Sequence, residues 1–385
     1  MAAGIPWSED NFIEDNFMEK IIPILKKEAV LFIAFVFALA SIVFIPPDLQ
    51  YFSYIDYSVL GILFCLMLIV AGLINLGVFN LLSQKLLART RSVKFLSFLL
   101  VNCVFVCSML ITNDVALITF VPISIKIFSL VQRKKLIFII VMETIAANLG
   151  SMMTPIGNPQ NLYIYSFYRL HIVSFFEYII PAGIIGYIII TGIVLISQNG
   201  SIETAFKQKA EAGNIKKPLL FYAGLFLLCV LTILHFVDYR ICIVLVSFAI
   251  LIVDKKLFKK VDYSLLLTFV CFFVFVGNLE RISLVKEALS HFLKGRVFIV
   301  SILSSQIISN VPAAMMISRF TSDVRPLLLG VNIGGLGTPV ASLASLISFR
   351  IYSRIEESAP GKFLRVFAIY NISILLLVSV IFYTK

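Results

Sequence analysis

Charge is what this sequence has least of: Asp, Glu, Lys and Arg make up 14% of its 385 residues, against 60% hydrophobic. That leaves too little polar surface to cover a water-soluble globule of this size, and the chain is expected to be an integral protein of the plasma (inner) membrane. Cysteine is sparse as well. Cys65, Cys103, Cys107, Cys229, Cys242 and Cys271 all lie in apolar stretches and none forms a CxxC pair, so they read as small hydrophobes without a disulfide or zinc framework. His171, His235 and His291 sit at the ends of apolar stretches, and no metal site is expected. There is no HExxH or GxSxG, and the polar stretch 198–217 is too short for a catalytic or ATP-binding domain, which argues against a membrane enzyme. Neither a filter-like repeat nor a ring of charge points to a channel. The beginning, around Trp7-Ser8-Glu9-Asp10, lacks a basic region followed by a cleavable apolar core, so no signal peptide is expected.

What is present in quantity is apolar sequence, in stretches near 29–46, 58–79, 95–131, 136–165, 174–197, 218–236, 240–254, 263–280, 297–320, 327–350 and 363–383. Most match the roughly 20 residues that cross the hydrocarbon; 95–131 and 136–165 are too long for one straight pass. The net charge of +11 comes from basic residues in short connections, the pattern of cytoplasmic loops, and no nucleic-acid partner is expected. Lys85, Arg89, Arg91 and Lys94 before 95–131, and Arg133, Lys134 and Lys135 after it, put both ends of that stretch in the cytoplasm. The loop 47–57 carries Asp48 and Asp56 but no Lys or Arg and reads as external, with a cytoplasmic N-terminus. Lys207, Lys209, Lys216 and Lys217 hold the 198–217 linker inside, and Lys255, Lys256, Lys259 and Lys260 do the same for the next basic loop. The C-terminus is then external. The loop 281–296 is counted as external although it holds Arg281, Lys286, Lys294 and Arg296. Phe12, Ile13, Phe17, Ile21 and Ile24, near helical spacing, suggest a short interfacial helix before the first span.

Two elements occur twice, in the same order. Asn148-Leu149-Gly150-Ser151-Met152-Met153-Thr154-Pro155 recurs as Asn332-Ile333-Gly334-Gly335-Leu336-Gly337-Thr338-Pro339, with Asn, Gly, Thr and Pro in register. Each copy follows an apolar stretch with a polar knot in its middle, Thr112-Asn113-Asp114-Val115-Ala116 and Ser309-Asn310-Val311-Pro312-Ala313. A stretch that leaves and returns on one side is either two spans or a re-entrant hairpin with the knot at its tip. The expected fold is all-α: a polytopic inverted-repeat transporter with about nine spans, two re-entrant hairpins and two broken helices. Its parts are an N-terminal interfacial segment 1–28, a first inverted repeat 29–197 (hairpin 95–131, broken helix 136–165), a cytoplasmic linker and connecting span 198–239, and a second inverted repeat 240–385 (hairpin 297–320, broken helix 327–350). The single connecting span inverts the second half relative to the first.

Where a helix stops inside the membrane, its last carbonyls attract a cation; where the next begins, its N–H groups attract an anion. Pro155 and Pro339 remove donors, and Gly150, Gly157, Gly334, Gly335 and Gly337 relax the backbone. Asn, Thr and Ser supply neutral donors and acceptors without the cost of a buried charge. Asp114, a carboxylate at a hairpin tip, makes a sodium ion or proton its default partner; its counterpart is Val311, so the duplication is chemically asymmetric. Glu143, whose counterpart is Leu327, is a second candidate for proton coupling or pairs with Lys126 or Lys135. Lys126 and Arg319 are expected to snorkel to the headgroups. No cofactor beyond sodium or protons is expected.

At these residues the chain resembles the ion transporter superfamily, which includes divalent anion/sodium symporters, arsenite efflux permeases and sodium/proton antiporters. Thr112-Asn113-Asp114-Val115-Ala116-Leu117-Ile118 and Thr338-Pro339-Val340-Ala341-Ser342-Leu343-Ala344-Ser345-Leu346 resemble motifs of the arsenite permease branch. Ser309-Asn310 followed by Val-Pro is similar to the Ser-Asn-Thr tip of the dicarboxylate symporters, with Val311 in place of Thr. Thr154-Pro155-Ile156-Gly157-Asn158-Pro159-Gln160-Asn161-Leu162 resembles anion permeases of the superfamily, so the likeness spans about 58–350. It implies a scaffold and a mobile transport part working as an elevator, and a homodimer. Thr112, Asn113, Thr154, Asn158, Ser309, Asn310, Thr338 and Ser342 would then contact substrate, with Thr154 and Thr338 beginning half-helices that receive an anion. Asn113, Asp114, Asn148, Gly150, Asn310, Asn332 and Gly334 would hold the coupling ion. The expected function is secondary active transport of a small anion or oxyanion of the dicarboxylate/citrate, sulfate or arsenite class, driven by sodium or protons. A sodium/proton antiporter carrying its ions on Asp114 and Glu143 is the alternative, and an ion channel a more distant one.

Overall fold

A computed structural model describes residues 28–78, 81, 92–197 and 216–383. The expected interfacial helix with Phe12, Ile13, Phe17, Ile21 and Ile24, the basic residues Lys85, Arg89 and Arg91, and Lys207 and Lys209 of the linker lie outside the described residues. Within them there are seventeen α-helices and no strand, as the apolar stretches require: in lipid, backbone polar groups are satisfied within helices.

Nine of the apolar passes read from the sequence are helical. Five are single helices: α3 (Tyr57–Asn75), α8 (Ile172–Ser197), α9 (Lys216–Ile233), α11 (Tyr263–Arg281) and α17 (Pro360–Tyr383). Two are shorter, α1 (Ala29–Ile42) with 14 residues and α10 (Tyr239–Asp254) with 16. Two are broken, α6 (Leu136–Ser151) with α7 (Pro159–Phe167), and α15 (Val324–Ile333) with α16 (Leu343–Ser353). A short turn of helix, α2 (Tyr51–Tyr54), precedes α3. The sequence also marks where several of these begin: Asp56, Asp238 and Asp262 accept backbone N–H bonds at the starts of α3, α10 and α11, as short acidic caps do.

The polar knots form helical hairpins with the same tip. Thr112, between α4 (Val93–Ile111) and α5 (Asn113–Val131), has φ 72° and ψ 151°; Ser309, between α13 (Val297–Ile308) and α14 (Asn310–Ser318), has φ 73° and ψ 156°. Arm length separates them. The first has two arms of 19 residues, each about 28 Å long, and α4 alone is long and apolar enough to cross a membrane. The second has arms of 12 and 9 residues, about 18 and 14 Å, lengths that suit a re-entrant loop.

The chain forms two compact units that do not follow the repeat boundary: Met1–Ile55 with Asp262–Ser283, described from residue 28, and Asp56–Val261 with Leu284–Lys385. In the smaller, α1 packs along α11. Asn278, fully buried, donates to Ser41 Oγ at 2.9 Å and Tyr51 Oη at 2.8 Å, and Arg281 pairs with Asp48 at 2.7 Å. Arg281, one of four basic residues counted in the 281–296 loop, thus shares a face with Asp48 of the 47–57 loop. The rest of 281–296, read as a loop, is largely helical: α12 (Ser283–Leu293) meets α13 at a bend of 113°.

In the larger unit α6 is the central helix, buried along almost its whole length and packed on α4, α5, α8 and α17. A helix apolar on all sides belongs in such an interior. α8, α9, α10 and α17 turn side chains such as Ile188, Leu220, Val244 and Val380 outward, each more than 60% exposed, a surface suited to lipid and costly in water.

Candidate functional site

The two breaks lie against each other and against the two hairpin tips, all within the larger unit. Asn148, in the last turn of α6, accepts from Asn113 Nδ2 at the first tip at 3.1 Å and from Ser342 Oγ at 2.9 Å; its own amide faces the Gly335 carbonyl at 3.4 Å and Ser345 Oγ at 3.5 Å. Asn332, in the last turn of α15, accepts from Asn158 Nδ2 at 3.0 Å and donates to Asn161 Oδ1 at 2.6 Å. Asn158 and Asn161 occupy the repeat positions of Ser342 and Ser345, at the same offset that relates Asn148 to Asn332. Each broken helix thus hands its last-turn asparagine to the half-helix start of the other. This reciprocal exchange is the internal two-fold expressed as hydrogen bonds, at a place where every partner is a neutral donor or acceptor.

The hairpins are fastened to the breaks by a second matched pair. Thr154 Oγ1 donates to the Met109 carbonyl at 2.5 Å and Thr338 Oγ1 to the Gln306 carbonyl at 3.2 Å, each reaching the hairpin's last turn before its tip. The Asn113 N–H at the first tip donates to the Gly157 carbonyl at 3.2 Å. At the second tip, Ser309 Oγ faces the Ala341 carbonyl at 3.4 Å and Asn310 Oδ1 at 3.5 Å. The half-helices themselves start later than expected. Asn158 caps α7 and Ser342 precedes α16, whereas Thr154 lies in the irregular segment and Thr338 precedes only the 3-10 turn Pro339–Ala341.

Glycine is needed where hairpin and broken helix touch. A Cβ on Gly150 would meet the Phe105 carbonyl and Ser108 Oγ of α4, and one on Gly334 would meet the Gly330 carbonyl and Ser305 of α13. Gly337, at φ 103°, lies against the Gln306 side chain.

Of the acidic candidates, Asp114 joins the network through its N–H, which donates to Asn113 Oδ1 at 3.0 Å. Asp114 is half-buried in the first turn of α5, where helix N–H groups favour a carboxylate. Glu143 is fully buried and accepts from Ser124 Oγ of α5, with no hydrogen-bond partner on Oε2 among the described residues; neither Lys126 nor Lys135 pairs with it by any described ion pair. Arg319 places its guanidinium over the Phe167 ring, 5.1 Å from its centroid, a packing role that the snorkelling expectation did not include.

Sequence reading missed Gln306. Its amide donates to the Gly334 and Leu336 carbonyls at 2.6 and 3.0 Å, and its Oε1 accepts from the Thr338 N–H at 2.8 Å, so one side chain ties up three backbone groups of the second break. Its repeat counterpart is Met109, which has no such reach, and only the polar character of Gln306 in an apolar arm could have signalled it. Asn161 and Ser345 were visible inside the quoted motifs, but not as partners of Asn332 and Asn148.

Opposed broken helices and hairpins meeting at one polar site, in an all-α membrane chain, define a transporter of the inverted-repeat class. The chain belongs to the citrate transporter family, whose model matches residues 18–326. It is 32% identical over 343 residues to an uncharacterized transporter of Methanocaldococcus jannaschii, covering 88% of this chain and 92% of that one. It is 30% identical over 311 residues to the inner membrane protein YbiR of Escherichia coli, covering 77% and 80% of the two chains. A 151-residue stretch is 33% identical to the silicon efflux transporter LSI3 of Oryza sativa, covering 39% of this chain and 31% of that one.

Proposed function

We propose that this transporter moves a small anion or oxyanion, of the dicarboxylate/citrate, sulfate or arsenite class, by secondary active transport coupled to sodium or protons. The reading is carried by the reciprocal exchange between Asn148 and Ser342 on one side and Asn332 and Asn158 on the other. It brings the starts of α5, α7, α14 and α16 and the ends of α6 and α15 around one region. Helix starts receive the anion, and helix ends together with the Asn113, Asn148, Asn310 and Asn332 amides receive the cation. None of the side chains joined by this network is basic, so a co-bound cation supplies compensating charge for the anion, and Asp114 beside the first tip holds it. The relatives' printed names, transporter and silicon efflux transporter, support transport of a small solute. Alternating access follows an elevator movement within a homodimer, in the plasma membrane with the N-terminus cytoplasmic and the C-terminus external.

A second reading has its own observation. Glu143, buried and bonded to Ser124, is a proton carrier in waiting if the protein exchanges sodium for protons without an organic substrate. Proteoliposomes loaded with imposed sodium or proton gradients and offered citrate, succinate, sulfate or arsenite separate the two. The anion reading expects one anion to move with the gradient, and Asp114→Asn to abolish its gradient dependence. Sodium–proton exchange with no anion flux overturns it in favour of the antiporter.

A further inference from the structure

Two of the six cysteines, 13 residues apart in sequence, meet away from the transport site, beside the helix that carries a third. Cys65 in α3, Cys229 about one turn before the end of α9 and Cys242 in the first turn of α10 are each fully buried. The Cys229 and Cys242 sulfurs are 3.7 Å apart, and α3, which carries Cys65, packs on both α9 and α10. Because α9 and α10 are joined only by residues 234–238, the pair sits level across the turn of a helical hairpin. A cavity of about 300 Å³ opens at that turn, lined by Ser58, Thr232, His235, Val237, Asp238 and Tyr239. Thr232 of that lining, whose hydroxyl donates to the Leu228 carbonyl at 2.9 Å, is three residues along α9 from Cys229, so the cavity reaches to about one helical turn from the pair. Loop charges place this turn on the external, oxidising side, where disulfides form and persist.

We propose that Cys229 and Cys242 are an oxidative modification site, at which a peroxide admitted through the cavity at the α9–α10 turn joins them in a disulfide. The Cys242 sulfur attacks one peroxide oxygen, the O–O bond breaks, and a sulfenic acid and one water result. The Cys229 sulfur then displaces the sulfenic hydroxyl, which leaves with the Cys229 proton as a second water. Two thiols lose two electrons and two protons, and the peroxide is reduced to two waters. The bond closes the sulfurs from 3.7 Å to about 2.05 Å. The product cross-links the connecting span α9 to the first span of the second repeat.

The test treats the purified full-length protein in detergent with hydrogen peroxide, alkylates the remaining thiols and maps the peptides by mass spectrometry. The expected result is loss of two alkylatable thiols out of six, recovery of a Cys229–Cys242 linked peptide, and restoration of all thiols by dithiothreitol. Cys229→Ala, a small replacement for a buried thiol, abolishes that linked peptide. Retention of all the thiols, or a cross-link confined to Cys103, Cys107 or Cys271, overturns the proposal. The external entry route is decided separately by Asp238→Cys on intact cells. Labelling by an impermeant maleimide supports it, and labelling only after permeabilisation overturns that route without touching the peptide result.

Discussion

At the scale of single residues, Asn148 and Asn332 do more than line a site. Each is almost wholly buried, and each is bonded to residues of the opposite repeat. Removing either amide strands buried donors and acceptors, which costs roughly 1–3 kcal/mol per unsatisfied group. Asn148→Ala and Asn332→Ala are therefore expected to lower thermal stability in detergent by similar amounts and to reduce uptake at least about tenfold, the factor that roughly 1.4 kcal/mol represents. A large fall for one and none for the other, by thermal unfolding and flux, would show that the exchange is not reciprocal. Gly150→Ala tests contact rather than bonding. Its added methyl meets the Phe105 backbone carbonyl, which cannot move without shifting α4, so stability should drop by about 1–3 kcal/mol, as for other overpacked sites; Gly192→Ala, which meets nothing within 4 Å, is the control.

At the scale of elements, the hairpin tips hold the same uncommon backbone. Thr112 and Ser309 both have φ near 72° with an extended ψ, a region that is essentially glycine's and costs other residues about 1–3 kcal/mol. Two copies of one strained tip, each at a break, mark a place where tip geometry matters more than ease of folding. Thr112→Gly should thus raise the unfolding temperature while lowering transport, because the relaxed tip no longer fixes the Asn113 N–H on the Gly157 carbonyl. A variant that is neither more stable nor less active removes the idea that strain is stored there.

At the scale of the larger unit, contacts order its two faces. Arg133, at the base of the first hairpin, pairs with Glu357 beyond the end of α16, while Phe382 and Tyr383 at the end of α17 line a cavity with Gly295 and Val297 at the base of the second hairpin. α17 has 24 residues, about 36 Å, so the two hairpin bases lie on opposite faces. In the proposed orientation the face that carries Arg133–Lys135 is the cytoplasmic one. A reporter fused after residue 383 is expected to read as external, and an internal reading would reverse the whole assignment. The Arg133–Glu357 pair identifies the face without holding it: both side chains are well exposed, and such pairs contribute at most about 1 kcal/mol. Arg133→Ala should leave the unfolding temperature within a few degrees of wild type.

The class of protein was legible in the chain, because lipid admits few solutions. Long apolar stretches must be helices, and a cluster of Gly with Thr-Pro repeated in register marks a break, whereas the isolated Pro122 and Pro181 stay inside helices. The hairpin tips and the last-turn asparagines could be named for the same reason: a polar group inside an apolar stretch has to be satisfied by something. What satisfies it is a matter of packing over distances the sequence does not encode. Asn148 meets Ser342 almost two hundred residues away, Gln306 closes the second break where Met109 leaves the first to a carbonyl alone, Glu143 meets Ser124 instead of a lysine, and Cys229 meets Cys242 across a helical hairpin. Periodicity and helix breakers act over a few turns of one helix, so they place elements; partners belong to the way helices from both repeats close around each other, and only that closure assigns them.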